Sequence, residues 1–195
     1  MRMEKSRVGK YVLPIFIVAV LVASTFGVLI GGFGDSDGEE YYKHNGHLFR
    51  KADGKWLVNV NGQNVFLTFG VRELSDIDIE GAEKIGAFVE RMRNSNKAYL
   101  SFEQNKGLFN GPNEVYSNIK PVFVNLFLAC PEDIEECSDL PVKNCGDAGD
   151  DVSVIVMRAG EFKVEQKDGC LEISGEESDV TRVADLLVLE FFDVV

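Results

Sequence analysis

The chain has 195 residues, with 20 Lys+Arg against 32 Asp+Glu for a formal charge of −12, and 45% of its residues are hydrophobic. That length suits one domain or two, and 14 Phe exclude a low-complexity disordered chain. A surface this acidic cannot supply the cationic face that a phosphate backbone needs, so nucleic acid is not an expected partner.

From Tyr11 to Gly34 no charged residue occurs, and the run reads YVLPIFIVAVLVASTFGVLIGGFG. A helix rising 1.5 Å per residue needs roughly 20 residues to cross about 30 Å of hydrocarbon. Residues 11–34 are therefore expected to form a transmembrane helix, with the lipid bilayer as their partner. Pro14 lies near the start, where a missing N–H costs least, and Gly27, Gly31 and Gly32 are tolerated in membrane helices. Arg2, Lys5, Arg7 and Lys10 precede the run and Asp35, Asp37, Glu39 and Glu40 follow it. The positive-inside rule then keeps residues 1–10 in the cytoplasm as a basic tail and places the rest of the chain outside.

The apolar stretch exceeds the roughly 7–15 residues of a cleaved signal peptide's core, which favours an uncleaved single-pass anchor in the cell membrane. A pilin-like leader cut after Gly9 fits less well, because Lys10 follows the glycine and no acidic residue comes early in the helix. The acidic linker DSDGEE at 35–40 reaches only about 20 Å when fully extended. An extracytoplasmic domain of residues 41–195 is thus expected to ride close to the outer leaflet.

That domain opens with Asn45-Gly46, Asp53-Gly54 and Asn61-Gly62, each between short alternating or apolar runs. These are hairpin signals. They predict strands near 40–44, 47–51, 55–60 and 63–69, an antiparallel meander with one buried face. A change of period at Ser75 marks a possible sub-boundary. Ile85, Phe88, Val89 and Met92 then fall at helical spacing after Asp76, Asp78 and Glu80. A strand at 98–102 precedes a second helix begun by Pro112, whose stripe runs Val115, Ile119, Val122, Phe123 and Leu126. Pro121 predicts a kink or a restart inside it.

Cys130, Cys137, Cys145 and Cys170 follow at C-x6-C-x7-C-x24-C spacing. An even number confined to the exported part reads as two disulfides. A zinc site is disfavoured, because there is no C-x2-C knuckle and no nearby His. Of three connectivities, Cys130 with Cys137 and Cys145 with Cys170 is expected. Val152–Met157 is apolar on both faces and predicts a central strand. Strands at 162–165 and 170–174 flank Asp168-Gly169, and a final helix capped by Ser178 or Asp179 carries Val180, Val183, Ala184, Leu187, Val188 and Phe191 on one stripe. The expected fold class is α+β, a meander plus about three helices packed on sheet, with seven or eight strands in all.

Chemistry is sparse. The motifs G-x-S-x-G, H-E-x-x-H, G-x-x-x-x-G-K-[ST] and G-x-G-x-x-G are all absent. The acidic stretches at 35–40 and 146–151 lack the ligand ladder of a calcium loop. His44 and His47 flank a two-residue turn and would face each other across it, a candidate metal pair without an evident third ligand. Tyr41 and Tyr42 beside the linker, and Leu108 and Phe109 in KGLFNGP, are candidate surface aromatics and aliphatics for a partner or for lipid headgroups. No cofactor is indicated.

The order of a basic tail, one span, YYKHNGHLFRKADGKW, ACPEDIEECSDLPVKNC and GCLEISGEESDVTRVADLL resembles small uncharacterised archaeal single-span exported proteins over most of the chain. That resemblance implies a compartment and no activity. The segment LEISGEESDVTRVADLL is also similar to the strand-then-helix tail of KH-like modules, but the domain is acidic, so RNA binding does not carry over. The expected function is a membrane-tethered interaction or scaffold domain of the cell envelope, holding another envelope protein. An extracytoplasmic enzyme or a solute- or metal-binding domain is the alternative.

Overall fold

Four Asx-Gly pairs set the hairpins. At Asn45-Gly46 the φ angles are 44° and 83°, and Asp53-Gly54, Asn61-Gly62 and Asp168-Gly169 are likewise positive at both positions. This is the type I′ geometry, whose twist matches that of the flanking strands. In the computed structural model, which describes residues 40–75 and 83–195, the first three turns join β1 (Tyr41–His44), β2 (His47–Ala52), β3 (Lys55–Val60) and β4 (Gln63–Leu67). They form an antiparallel sheet in the order β1-β2-β3-β4, the predicted meander. The predicted span at 11–34, and Asp76, Asp78 and Glu80, lie outside the described residues. Among the described residues no helix is long and apolar enough to cross a membrane.

Alternation along the meander sends Tyr42, Phe49, Trp56, Val58, Val60, Val65 and Leu67 inward, all buried. These residues share one core with α1 (Val71–Ser75), α2 (Glu83–Asn94), α3 (Asn110–Ile119) and α4 (Glu177–Phe191). The same core takes in the inner face of a second sheet, so residues on both sides of Ser75 contribute to it. Ile85, Phe88, Val89 and Met92 of α2 are fully buried, as their spacing requires. Gly111 of α3 lies so close to α4 that an added Cβ would sit 3.0 Å from Val180. Asn118 of α3 accepts the Phe66 N–H (2.9 Å) and donates to its carbonyl (2.7 Å). The open edge of β4 is thereby paired by a side chain instead of another strand.

The second sheet contains β5 (Lys97–Phe102), β6 (Leu126–Ala129), β7 (Val152–Ala159), β8 (Lys163–Lys167) and β9 (Cys170–Gly175), in the order β6-β5-β7-β9-β8. β5 runs parallel to β6 and β7, and β7 runs parallel to β9; only the β8–β9 hairpin is antiparallel. The predicted central strand is indeed β7, flanked on both sides.

Three expectations change. The second helix stops at Ile119, where Pro121 has no N–H to continue the ladder, and Val122 and Phe123 both donate to the Ile119 carbonyl. Leu126, the last residue of the predicted stripe, opens strand β6 instead. Helix α4 begins at Glu177 with extended Glu176 as its N-cap, ahead of Ser178 and Asp179. The described residues contain four α-helices, the short α1 adding one to the about three expected.

Candidate functional site

The outer face of the five-stranded sheet is covered by irregular chain from 130 to 150, and the cysteines hold it there. Cys130 is bonded to Cys137 and Cys145 to Cys170, the expected pairing, with Cα separations of 6.1 and 5.2 Å. The first bridge closes the acidic loop PEDIEE. The second ties the loop to β9 across a sequence separation of 25 residues. Beneath the cover, Val154, Val156 and Cys170 form a small apolar cluster with Tyr99, Ala148 and Val152 against it. Ser101, fully buried, donates to the Lys143 carbonyl at 2.7 Å. A loop of this composition has too little apolar surface to stay on a sheet alone, and two covalent ties supply what packing does not.

At the β6 edge this cover ends. Val122, Val124, Phe127 and Val142 are 49%, 67%, 41% and 38% exposed. Tyr99 and Phe127 are neighbours on adjacent strands with ring centroids 6.0 Å apart. Lys97 lies 5.8 Å from both rings, Lys120 lies 4.8 Å from Phe127 and Lys143 lies 5.5 Å from Tyr99. Lys120 also donates to the Val124 and Leu126 carbonyls at 2.6 and 2.8 Å. The edge is therefore an apolar surface rimmed by lysines. Neither hydrophobic spacing nor charge runs revealed it, because its members come from a turn, two strands and the cysteine loop.

At the carboxyl ends of β5 and β7, where ligands collect in open parallel sheets, Arg158 is surrounded by carboxylates. Its guanidinium lies 2.9 Å from Glu132, 3.2 Å from Glu172 and 3.6 Å from Glu103. Glu103 also accepts the Ala159 N–H at 3.0 Å. Three carboxylates around one cation leave the guanidinium no unopposed charge for an anionic ligand, so this cluster fixes loops to strand ends.

A second polar cluster is internal. Glu114 of α3 and Asp185 of α4 are 1% and 0% exposed. Glu114 receives Lys55 Nζ at 2.6 Å and the Thr68 hydroxyl at 2.8 Å, and Asp185 accepts the Phe69 N–H at 2.8 Å. One oxygen of each carboxyl, Oε2 of Glu114 and Oδ1 of Asp185, has no hydrogen-bond partner among the described residues. Burial holds the Asp185 carboxyl well above the ordinary carboxylate range; Glu114 raises it further, opposed by the backbone N–H of Phe69 and by Lys55. The pair joins the meander to the two helices. A groove of about 420 Å³ that shares Thr68 and Phe69 with this cluster, and is lined also by Asn110, Glu177 and Thr181, does not include either carboxyl.

The remaining predicted residues are placed as follows. His44 and His47 are directly paired across the first turn, as the spacing requires, and both are half-buried. Among the described residues no group of three His, Cys, Asp or Glu lies close enough to hold a metal. Tyr41 is 71% exposed, but Tyr42 points inward, stacked on Phe49 at 4.8 Å and edge-on to Trp56 at 4.9 Å. Period-two alternation makes adjacent tyrosines face opposite ways, so Tyr42 is a core residue and not a surface one. Leu108 is likewise buried, whereas Phe109 is 63% exposed, with its N–H donated to Glu177. Compared with protein-family models, with curated proteins and with solved structures, the chain has no significant match.

Proposed function

We propose that residues 41–195 are the extracytoplasmic domain of a single-span protein anchored through 11–34, and that this domain holds a partner protein of the cell envelope near the membrane. The observation that carries the reading is the β6 edge, where Val122, Val124, Phe127 and Val142 are exposed together at a sheet margin. Apolar surface concentrated in this way, rimmed by polar residues, is characteristic of a protein contact site. Lys97, Lys120 and Lys143 supply that rim.

Two further features support the placement. Paired cysteines suit an oxidising compartment. The uncharged run at 11–34, basic before and acidic after, suits an anchor with its N-terminus inside.

The test is cross-linking in intact cells that express the full chain with a photo-reactive residue at Val124, followed by identification of the adduct. A defined protein adduct, lost in Phe127→Glu and Val122→Glu variants that still form both disulfides, is the expected result. Adducts unchanged by both substitutions, or none at Val124, would overturn the assignment of the β6 edge.

A further inference from the structure

The four strands of the meander contain no Asp or Glu. Between Tyr41 and Leu67 the basic residues are Lys43, Arg50, Lys51 and Lys55, opposed by Asp53 alone in a turn. In a chain with 32 acidic residues this is a local reversal of sign. The inner face accounts for Lys51, which pairs with Glu40 at 3.5 Å and lies over Trp56. Lys55 reaches round to Glu114. Lys43 and Arg50, both exposed on the outer face, make no ion pair among the described residues.

The outer face is also apolar in a specific pattern. Register places Tyr41 opposite Arg50, Arg50 opposite Leu57, and Leu57 opposite Phe66, so these four form one row across all four strands. Lys43 opposite Leu48 belongs to the next row. Tyr41, Leu48 and Phe66 are 71%, 50% and 46% exposed. Among the described residues these three side chains stay open to solvent, although the opposite face of the same sheet forms part of the core. Exposed aromatic and aliphatic side chains interleaved with Lys and Arg form a surface suited to the polar–apolar boundary of a bilayer. Anionic headgroups attract such basic residues, and the attraction acts only within a Debye length, about 8–10 Å at physiological salt.

Chain length favours this occupant over a soluble one. The uncharged run ends at Gly34 and β1 begins at Tyr41. The six intervening residues reach about 20 Å at most, so a domain tethered there meets the membrane surface continually. Acidic surface is repelled by anionic lipid; of the two apolar surfaces that carry basic residues, the outer meander face presents Lys43 and Arg50 without carboxylate partners among the described residues, whereas at the β6 edge Lys143 is paired with Asp147 at 2.8 Å and Lys120 is bonded to backbone carbonyls. The geometry points to the outer face of the meander as a docking surface for anionic lipid headgroups of the bilayer in which the chain is anchored. This inference rests on the anchored reading above. It orients the domain, and leaves the β6 edge, which lies on the other sheet, for the protein partner.

The experiment uses the full chain, with a photo-reactive residue in place of Phe66 or, as comparator, of Phe127. The protein is reconstituted into phosphatidylcholine vesicles with and without phosphatidylglycerol, and retention after alkaline carbonate extraction is measured first. The expected result is retention, with lipid adduct at position 66 well above that at 127. That adduct should depend on phosphatidylglycerol and fall with added salt. It should drop roughly thirtyfold in Lys43→Gln/Arg50→Gln, given about 1 kcal/mol for each of the two basic residues near an anionic surface. Retention with no lipid adduct at 66, with equal adduct at 127, or with a dimer of the chain captured at 66 overturns the docking face and leaves the anchor standing. Loss of the chain from carbonate-washed vesicles overturns the anchored reading itself. The salt titration on the unsubstituted face needs no Lys43 or Arg50 variant, so misfolding of the double variant does not protect the proposal.

Discussion

Asp185 sits in the middle of α4 at 0% exposure, with one carboxyl oxygen bonded to the Phe69 N–H and the other without a hydrogen-bond partner among the described residues. Desolvation raises its pKa first, and proximity to Glu114 adds to it. In the unfolded chain the same group ionises near pH 4. Its contribution to stability is therefore complete below about pH 4 and is lost as pH rises toward the folded-state value, because the unfolded state releases its proton first. Asp185→Asn cannot ionise and keeps an acceptor for the Phe69 N–H. Urea midpoints between pH 4 and pH 8 are expected to fall less steeply for the variant than for the parent, with the variant at least as stable at pH 8. An identical slope for both would show Asp185 to be ionised in the fold. Such a residue is not legible in sequence. It falls among 32 acidic residues, and only the packing of α4 against α3 and the meander sets it apart. Tyr42 and Leu108, candidates for the surface in the sequence, are buried for a related reason: each lies beside an exposed neighbour, Tyr41 or Phe109, and one residue of register decides which faces solvent.

Strands and helices defined by local signals were legible. All four type I′ turns carry Asn-Gly or Asp-Gly, and the α2 and α4 stripes follow helical period. Strand β6 was not legible, because Val122, Phe123 and Leu126 continue the spacing of α3 past Pro121. The parallel pairing of β5 with β6 and β7 was equally hidden, since it joins strands distant in sequence that carry no turn signal. The disulfides are expected to differ in weight. Chain-entropy arithmetic gives about 2.5 kcal/mol for closing a loop like Cys130–Cys137 and about 3.5 kcal/mol for one like Cys145–Cys170. Loss of the second also frees the cover from Val154 and Val156. Cys145→Ser/Cys170→Ser should therefore lower the denaturation midpoint more than Cys130→Ser/Cys137→Ser, measured side by side in urea. The reverse order would mean that the cover is held chiefly by the acidic loop.

Charge is distributed unevenly along the whole molecule. Residues 1–34 hold Arg2, Lys5, Arg7 and Lys10 against Glu4, a net +3, so the overall −12 leaves −15 for the remainder. Within that remainder the meander is basic and the cysteine loop is acidic. On the anchored reading proposed above, a domain so polarised would present different faces to the membrane and to its surroundings. The direct measurement is protease accessibility in intact cells expressing the full chain, combined with carbonate extraction and thiol labelling of residues 40–195. The expected result is a chain retained in carbonate-washed membranes, with its four cysteines oxidised and its C-terminal domain cut by protease added outside. A carbonate-soluble chain, or a domain protected until the cells are lysed, would contradict it.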